Sequence, residues 1–207
     1  TLSASSLIFI SGLAFGIVPA LVLAIGFGIA ITACQGFLVG YLQANPIIVS
    51  ISALALMLGT ADLITGGQRI YPPGDGLDIL TGNLFGVPVE VIFLISSVGI
   101  GQVILSYTRF GLRIYMVGTN LNAAQAAGVS IWRTITGSYM LAGLFAAIAG
   151  ILLSARYGSG DMELGIGYDY DAIAAVDGVT RRDAVDQFTV VGIVLGTAVI
   201  QDAAHVG

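Results

Sequence analysis

Apolar residues run through this chain in blocks much longer than the stretches that separate them. Residues 7–42, LIFISGLAFGIVPALVLAIGFGIAITACQGFLVGYL, contain no charged side chain. The block is too long for one membrane crossing of about 20 residues. Pro19 and the preceding SGLAFG divide it, leaving the tail of one segment and a full span over 18–41. In YLQANP, residues 41–46, the Asn-Pro pair disfavours helix at Asn45 and predicts a tight turn. A second span is expected over 47–65, with Asp62 near its end as the only acid inside an apolar run, and a third over 89–107. Between them lies a Gly-, Pro- and Asp-rich loop, 66–88. It is expected in water, because irregular backbone in lipid leaves peptide groups unpaired.

The polar segment GLRIYMVGTNLNAAQAAGVSIWR, 111–133, precedes a fourth span over 134–154. A long acidic loop, ARYGSGDMELGIGYDYD, then leads to the short apolar DAIAAV, a charged break RRDAVD and a last apolar run over 188–201 that is marginal for a span. The pattern predicts an all-α, polytopic transmembrane bundle. Small residues recur four apart at Gly12/Gly16, Gly36/Gly40 and Gly192/Gly196, a spacing that lets membrane helices approach closely.

Composition agrees. The chain is 57% hydrophobic and 9% charged, against about 25% charged in an ordinary soluble domain, and mean hydropathy is +0.97. The net charge of −5 describes the acidic loops, and without a basic face nucleic acid is not an expected partner. Cys34 is the single cysteine, so it forms no internal disulfide, and it reads as apolar filler. The chain starts at Thr1 without a signal-peptide pattern and stops abruptly in its last run. It is expected to be one transmembrane domain over 1–207, a piece of a longer protein lacking both ends.

Three of the seven arginines, Arg109, Arg113 and Arg133, gather in and beside the polar segment, with no Asp or Glu between Glu90 and Asp161. The positive-inside rule favours the cytoplasm for this short loop. The opposite loops carry Arg69, Arg156, Arg181 and Arg182, however, and outnumber it by count. Thr119 or Asn120 can cap a helix start, LNAAQAA forms helix, and Gly128 stops it. Two turns with alanine and amide side chains suit another protein's groove. The plainer reading is a connector between spans.

Three segments carry a family resemblance: GFLVGYLQANPIIVSISALALMLGTADLITGGQRI, TRFGLRIYMVGTNLNAAQAAGVS and LAGLFAAIAGILLSARYGSGDMELGIGYDYDAIAAV. Together they resemble the ribose-type permeases of ABC importers, in the permease family that also includes branched-chain amino-acid permeases. The resemblance implies that the polar segment is a cytoplasmic coupling helix gripped by an ATPase subunit. It carries Gly118, Asn120, Ala123, Ala124, Ala127 and Gly128 onto the coupling motif, with Arg109 and Arg113 at the basic positions before it. Headgroup anchoring is an equal role for those two arginines. Many relatives have an acid near Leu121–Asn122, which this chain lacks.

GIGYDYDAIAAV resembles the family's G-x-G-Y-E-L-D-A-I-A-A-V, with Asp169 for Glu and Tyr170 for Leu, and implies a short external helix. The glycine-rich G-G-T-S-x-x-G-G that follows in relatives is here DGVTRRDAVDQF, so no family role is carried onto 177–187.

The implied assembly contains a second permease subunit, identical or not, two cytoplasmic ATP-binding subunits and an extracytoplasmic solute-binding protein. It sits in the bacterial inner membrane and takes up a sugar such as ribose or a related monosaccharide. ATP would bind the partner subunits, and no cofactor or metal is expected on this chain.

Asp62 and Asp171 are the candidate pathway residues, although Asp171 also suits an N-cap. Asp161, Glu163 and Asp169 do not fit an EF-hand and read as a solvated face. His205 receives no role. The chain has no P-loop, G-x-S-x-G or H-E-x-x-H pattern, so catalysis within it is not expected. The alternatives are an ATP-independent carrier or channel, or a non-transporting helical scaffold.

Overall fold

The computed structural model describes residues 1–66, 68–71, 83–84 and 87–160. Its helices are α1 (Leu2–Gly12), α2 (Ile17–Gly40), α3 (Pro46–Thr65), α4 (Val89–Tyr107), α5 (Arg109–Thr119), α6 (Leu121–Ala126) and α7 (Ile131–Tyr157). A 3₁₀ turn, Leu13–Phe15, joins α1 to α2, and a small hairpin pairs Asn83–Leu84 with Val87–Pro88 just before α4. The helices follow the expected spans closely. The chain breaks at Gly16, and Pro19 falls in the first turn of α2, where a missing N–H costs nothing. Asn45 caps α3: its side-chain oxygen accepts from the Ile47 amide at 3.0 Å, with Pro46 in the first helical position. α7 begins at Ile131, three residues earlier than expected, so Arg133 is helical.

Among the described residues, three helices are long and apolar enough to cross a membrane: α2, α3 up to Leu63, and α7. α4 and α5 together make a fourth candidate, bent by 75° between Tyr107 and Arg109. The residues between Arg133 and Arg156 of α7 cover about 33 Å at 1.5 Å each, the thickness of a bilayer's hydrocarbon layer.

The core of the described residues is an antiparallel α2–α7 pair with α1 against one end. Along α2 the residues facing α7 recur every four positions and are small: Ala20, Ala24, Gly28, Thr32 and Gly36, with Gly40 at the end. A Cβ built on Gly28 would lie 2.8 Å from that of Ala147. One on Gly36 would lie 2.7 Å from Tyr139 Cβ and 2.8 Å from Thr136 Cα, and one on Gly40 would lie 3.0 Å from the Trp132 carbonyl oxygen. Gly143 of α7 leaves the corresponding space for Thr32. Hydrocarbon does not drive apolar helices together by exclusion, so close backbone approach and dispersion must hold this seam. Phe9 and Ile10 of α1 are fully buried with Ala20, Ala24, Ile151 and Ala155, closing the far end of the pair. There Ile70 and Gly160 exchange backbone hydrogen bonds of 3.0 and 2.8 Å.

Several hydroxyl groups inside the helices are satisfied locally, although the buried Thr136 hydroxyl has no hydrogen-bond partner among the described residues. Thr32, Thr60, Thr65, Thr134, Ser138 and Ser154 each donate to a carbonyl three or four residues back. This arrangement lets a polar side chain sit in an apolar medium without an outside partner. α3 is mostly exposed, with Ile47, Ile51, Leu56 and Leu63 all turned outward, as apolar solvent permits.

Candidate coupling site

The site is built at the near end of the α2–α7 pair, where Gly40 meets Trp132. α4 stops at Tyr107, and Thr108 caps the next helix by accepting from the Gly111 amide at 3.2 Å. A Cβ on Gly111 would overlap the Leu105 carbonyl, so the sharp bend requires glycine there. α5 was not expected as a separate helix: Arg109 and Arg113 lie on it, not in a loop ahead of α6. Its inward face carries half-buried Phe110, Ile114 and Val117, and the Phe110 ring covers Gly137 of α7. Arg109, Leu112 and Arg113 are exposed.

α6 follows at once. Asn120, not Thr119, is its cap: the Asn120 side-chain oxygen accepts from the amides of Asn122 and Ala123 at 3.0 and 3.2 Å. The Thr119 hydroxyl instead donates back to Tyr115 and Met116 of α5. At the other end the Gly128 amide donates to Gln125 and the Val129 amide to Ala124. This double closure puts Gly128 at φ +76°, a conformation that disfavours any side chain. Six residues make a helix too short to persist in water on their own, so these two caps define it.

Gly118, Asn120, Ala123, Ala127 and Gly128 are exposed, whereas Ala124 is 1% exposed. LNAAQAA carries no apolar stripe that would predict burial against its own membrane domain, yet Ala124 is buried there. Its methyl seats the helix, and Ala123 and Ala127 face outward. The other motif residues are brought together on one short stretch. Asp62 lies elsewhere, exposed in the last turn of α3. Asp171, the short external helix and the 177–187 segment lie outside the described residues.

Beside α6 is an open cleft of about 280 Å³ lined by Gly40, Tyr41, Gln43, Gln125, Ser130 and Trp132, among others. Gln43 in its wall has φ +51°, uncommon for a residue with a side chain. Phe37 stacks on Tyr41 with ring centres 5.1 Å apart, Tyr41 meets Trp132 edge-on at 6.4 Å, and the Arg133 guanidinium lies 5.3 Å from the Trp132 ring centre. The segment after α2 was read only as a tight turn. The aromatic residues Phe37 and Tyr41, one helical turn apart beside YLQANP, were the available signal.

A charged rim, an exposed capped helix and spans packed by small residues define a polytopic membrane protein with a short helix exposed at one end of its bundle. The family model for the permease component of the branched-chain amino acid transport system matches residues 1–206, and the chain belongs to that family. It is a multi-pass inner-membrane protein.

Three curated relatives carry sugar-transport names. The L-arabinose transport system permease protein AraH of Escherichia coli is 31% identical over 169 residues, covering 79% of this chain and 52% of that protein. The galactose/methyl galactoside import permease protein MglC of Haemophilus influenzae is 29% identical over 193 residues, 88% of this chain and 57% of the relative. The ribose import permease protein RbsC of Bacillus subtilis is 32% identical over 145 residues, 69% and 45%. The chain thus spans about half the length of the curated relatives it matches. No solved structure matches it.

Proposed function

We propose that this chain is part of the membrane-spanning subunit of an ATP-driven importer for a monosaccharide, and that α6 is where an ATP-binding subunit grips it. The observation that carries this reading is a two-turn helix capped at both ends, seated by Ala124 and exposing Ala123 and Ala127. Small outward side chains let a groove close on the helix backbone. The sugar assignment is supported by the names of the arabinose, galactoside and ribose relatives.

Closure of two ATP-binding subunits would push α6. The push passes to α7 through the short Ala127–Ser130 connection and to α2 through the contact of Gly40 with Trp132. ATP supplies the differential binding energy that a two-state change of access requires. A second permease subunit and an extracytoplasmic binding protein complete the assembly, and the chain itself does no chemistry. A carrier working without ATP would rest on Asp62, which lies on an exposed turn of α3 away from the α2–α7 seam.

The test is Ala123→Glu in the full subunit. It is expected to abolish co-purification of the ATP-binding subunit and ATP-dependent uptake, with unchanged membrane abundance. Normal uptake in that variant overturns the assignment. Ala124 is the poorer probe, because a bulky charge at a buried position would unseat α6 for reasons of packing alone.

A further inference from the structure

We infer that the outward face of α5, together with Arg133, is a binding site for the headgroups of anionic phospholipids. The near end of the bundle carries Arg109, Arg113 and Arg133, and no acid occurs between Glu90 and Asp161 to offset them. Arg109 and Arg113 are exposed, and no acidic partner is recorded for either among the described residues. Arg133 lies against the face of Trp132, which leaves the edge of a guanidinium, with its N–H donors, for an anion.

Depth agrees with charge. Arg133 and Arg156 bracket a stretch of α7 as long as a bilayer's hydrocarbon layer is thick, which sets Arg133 at headgroup level. Phe110, next to Arg109, covers Gly137, about one helical turn from Arg133. Phe37, Tyr41 and Trp132 form an aromatic cluster at the same end, and Tyr and Trp favour that depth.

The exposed face of α5 is two-sided. Leu112 is 61% exposed between the arginines. A helix with apolar and cationic residues on its open face suits a charged lipid surface, where Leu112 meets acyl chains and the arginines meet phosphate. The inference does not depend on what the subunit transports.

Trp132, the one tryptophan in these residues, is a built-in reporter. The full subunit, with any tryptophan elsewhere replaced by phenylalanine, would be reconstituted in phosphatidylcholine nanodiscs. Brominated phosphatidylglycerol or brominated phosphatidylcholine would then be added at equal mole fraction. The brominated anionic lipid is expected to quench Trp132 more strongly, and Arg133→Gln is expected to reduce that preference about five-fold.

Phosphatidylglycerol retained by the subunit in native mass spectrometry should fall about 25-fold in binding constant in Arg109→Gln/Arg113→Gln. Arg156→Gln, at the opposite end, should leave the quenching of Trp132 unchanged. Equal quenching by the two lipids, or lipid retention that the double substitution does not change, overturns the site. So does displacement by inorganic phosphate at constant ionic strength. If the double variant keeps its lipid but loses its ATP-binding partner, the arginines serve a protein contact and the proposal is wrong.

Discussion

The seam between α2 and α7 permits a matched pair of substitutions within one helix. Gly26 and Gly36 both lie in α2, and alanine at either gains the same intrinsic helix preference, about 1 kcal/mol. A Cβ at Gly26 meets nothing within 4 Å, while one at Gly36 lands 2.7 Å from Tyr139 Cβ and 2.8 Å from Thr136 Cα. The second atom belongs to backbone, so it cannot rotate away, and the helices must separate by about 0.7 Å to restore ordinary contact. Overpacking of this kind costs about 1–3 kcal/mol. The helix-preference gain is common to both variants and cancels. Gly36→Ala should therefore be less stable than Gly26→Ala by about 1–3 kcal/mol, a five- to 150-fold difference in the unfolding constant. Unfolding of the full subunit by sodium dodecyl sulfate in mixed micelles, followed by circular dichroism, measures the difference. Coincident transitions for the two variants would show that the seam does not hold the helices as described.

Further outcomes are expected at the coupling site and in the membrane. Asn120→Ala should loosen α6 by about 1 kcal/mol and speed hydrogen exchange at the Asn122 and Ala123 amides, with Asn120→Asp restoring protection. Gly128→Val should cost about 1–2 kcal/mol through its left-handed backbone and weaken co-purification of the ATP-binding subunit without changing membrane insertion. Cys34, exposed in the last third of α2, should react with a membrane-permeant maleimide and resist an impermeant one; equal labelling would place this face in water.

Span positions were legible because hydropathy changes sharply at their ends. The expected 18–41 became Ile17–Gly40, and 89–107 was met by Val89–Tyr107. The two caps of α6 were legible as well, since Asn and Gly at helix ends have local causes that need no tertiary context. The seam was only glimpsed at Gly36/Gly40. In a membrane both faces of a helix are apolar, so the side that packs differs from the lipid side in size, and hydropathy does not register that Ala20, Ala24 and Thr32 belong to the same row.

α5 was missed for the opposite reason. Its inward stripe of Phe110, Ile114 and Val117 has helical spacing, but it is short, preceded by Arg109 and interleaved with Gly111 and Arg113, so the segment read as polar connector. Burial of Ala124 had no sequence signal, because alanine is equally at home in water and in a core.

The paired peptide groups of Ile70 and Gly160 fasten α7 at the end opposite α6. A rod about 40 Å long that is tied at one tip swings most at the other. Movement introduced near Ser130 would therefore be largest at the α6 end of α7 and smallest near Gly158.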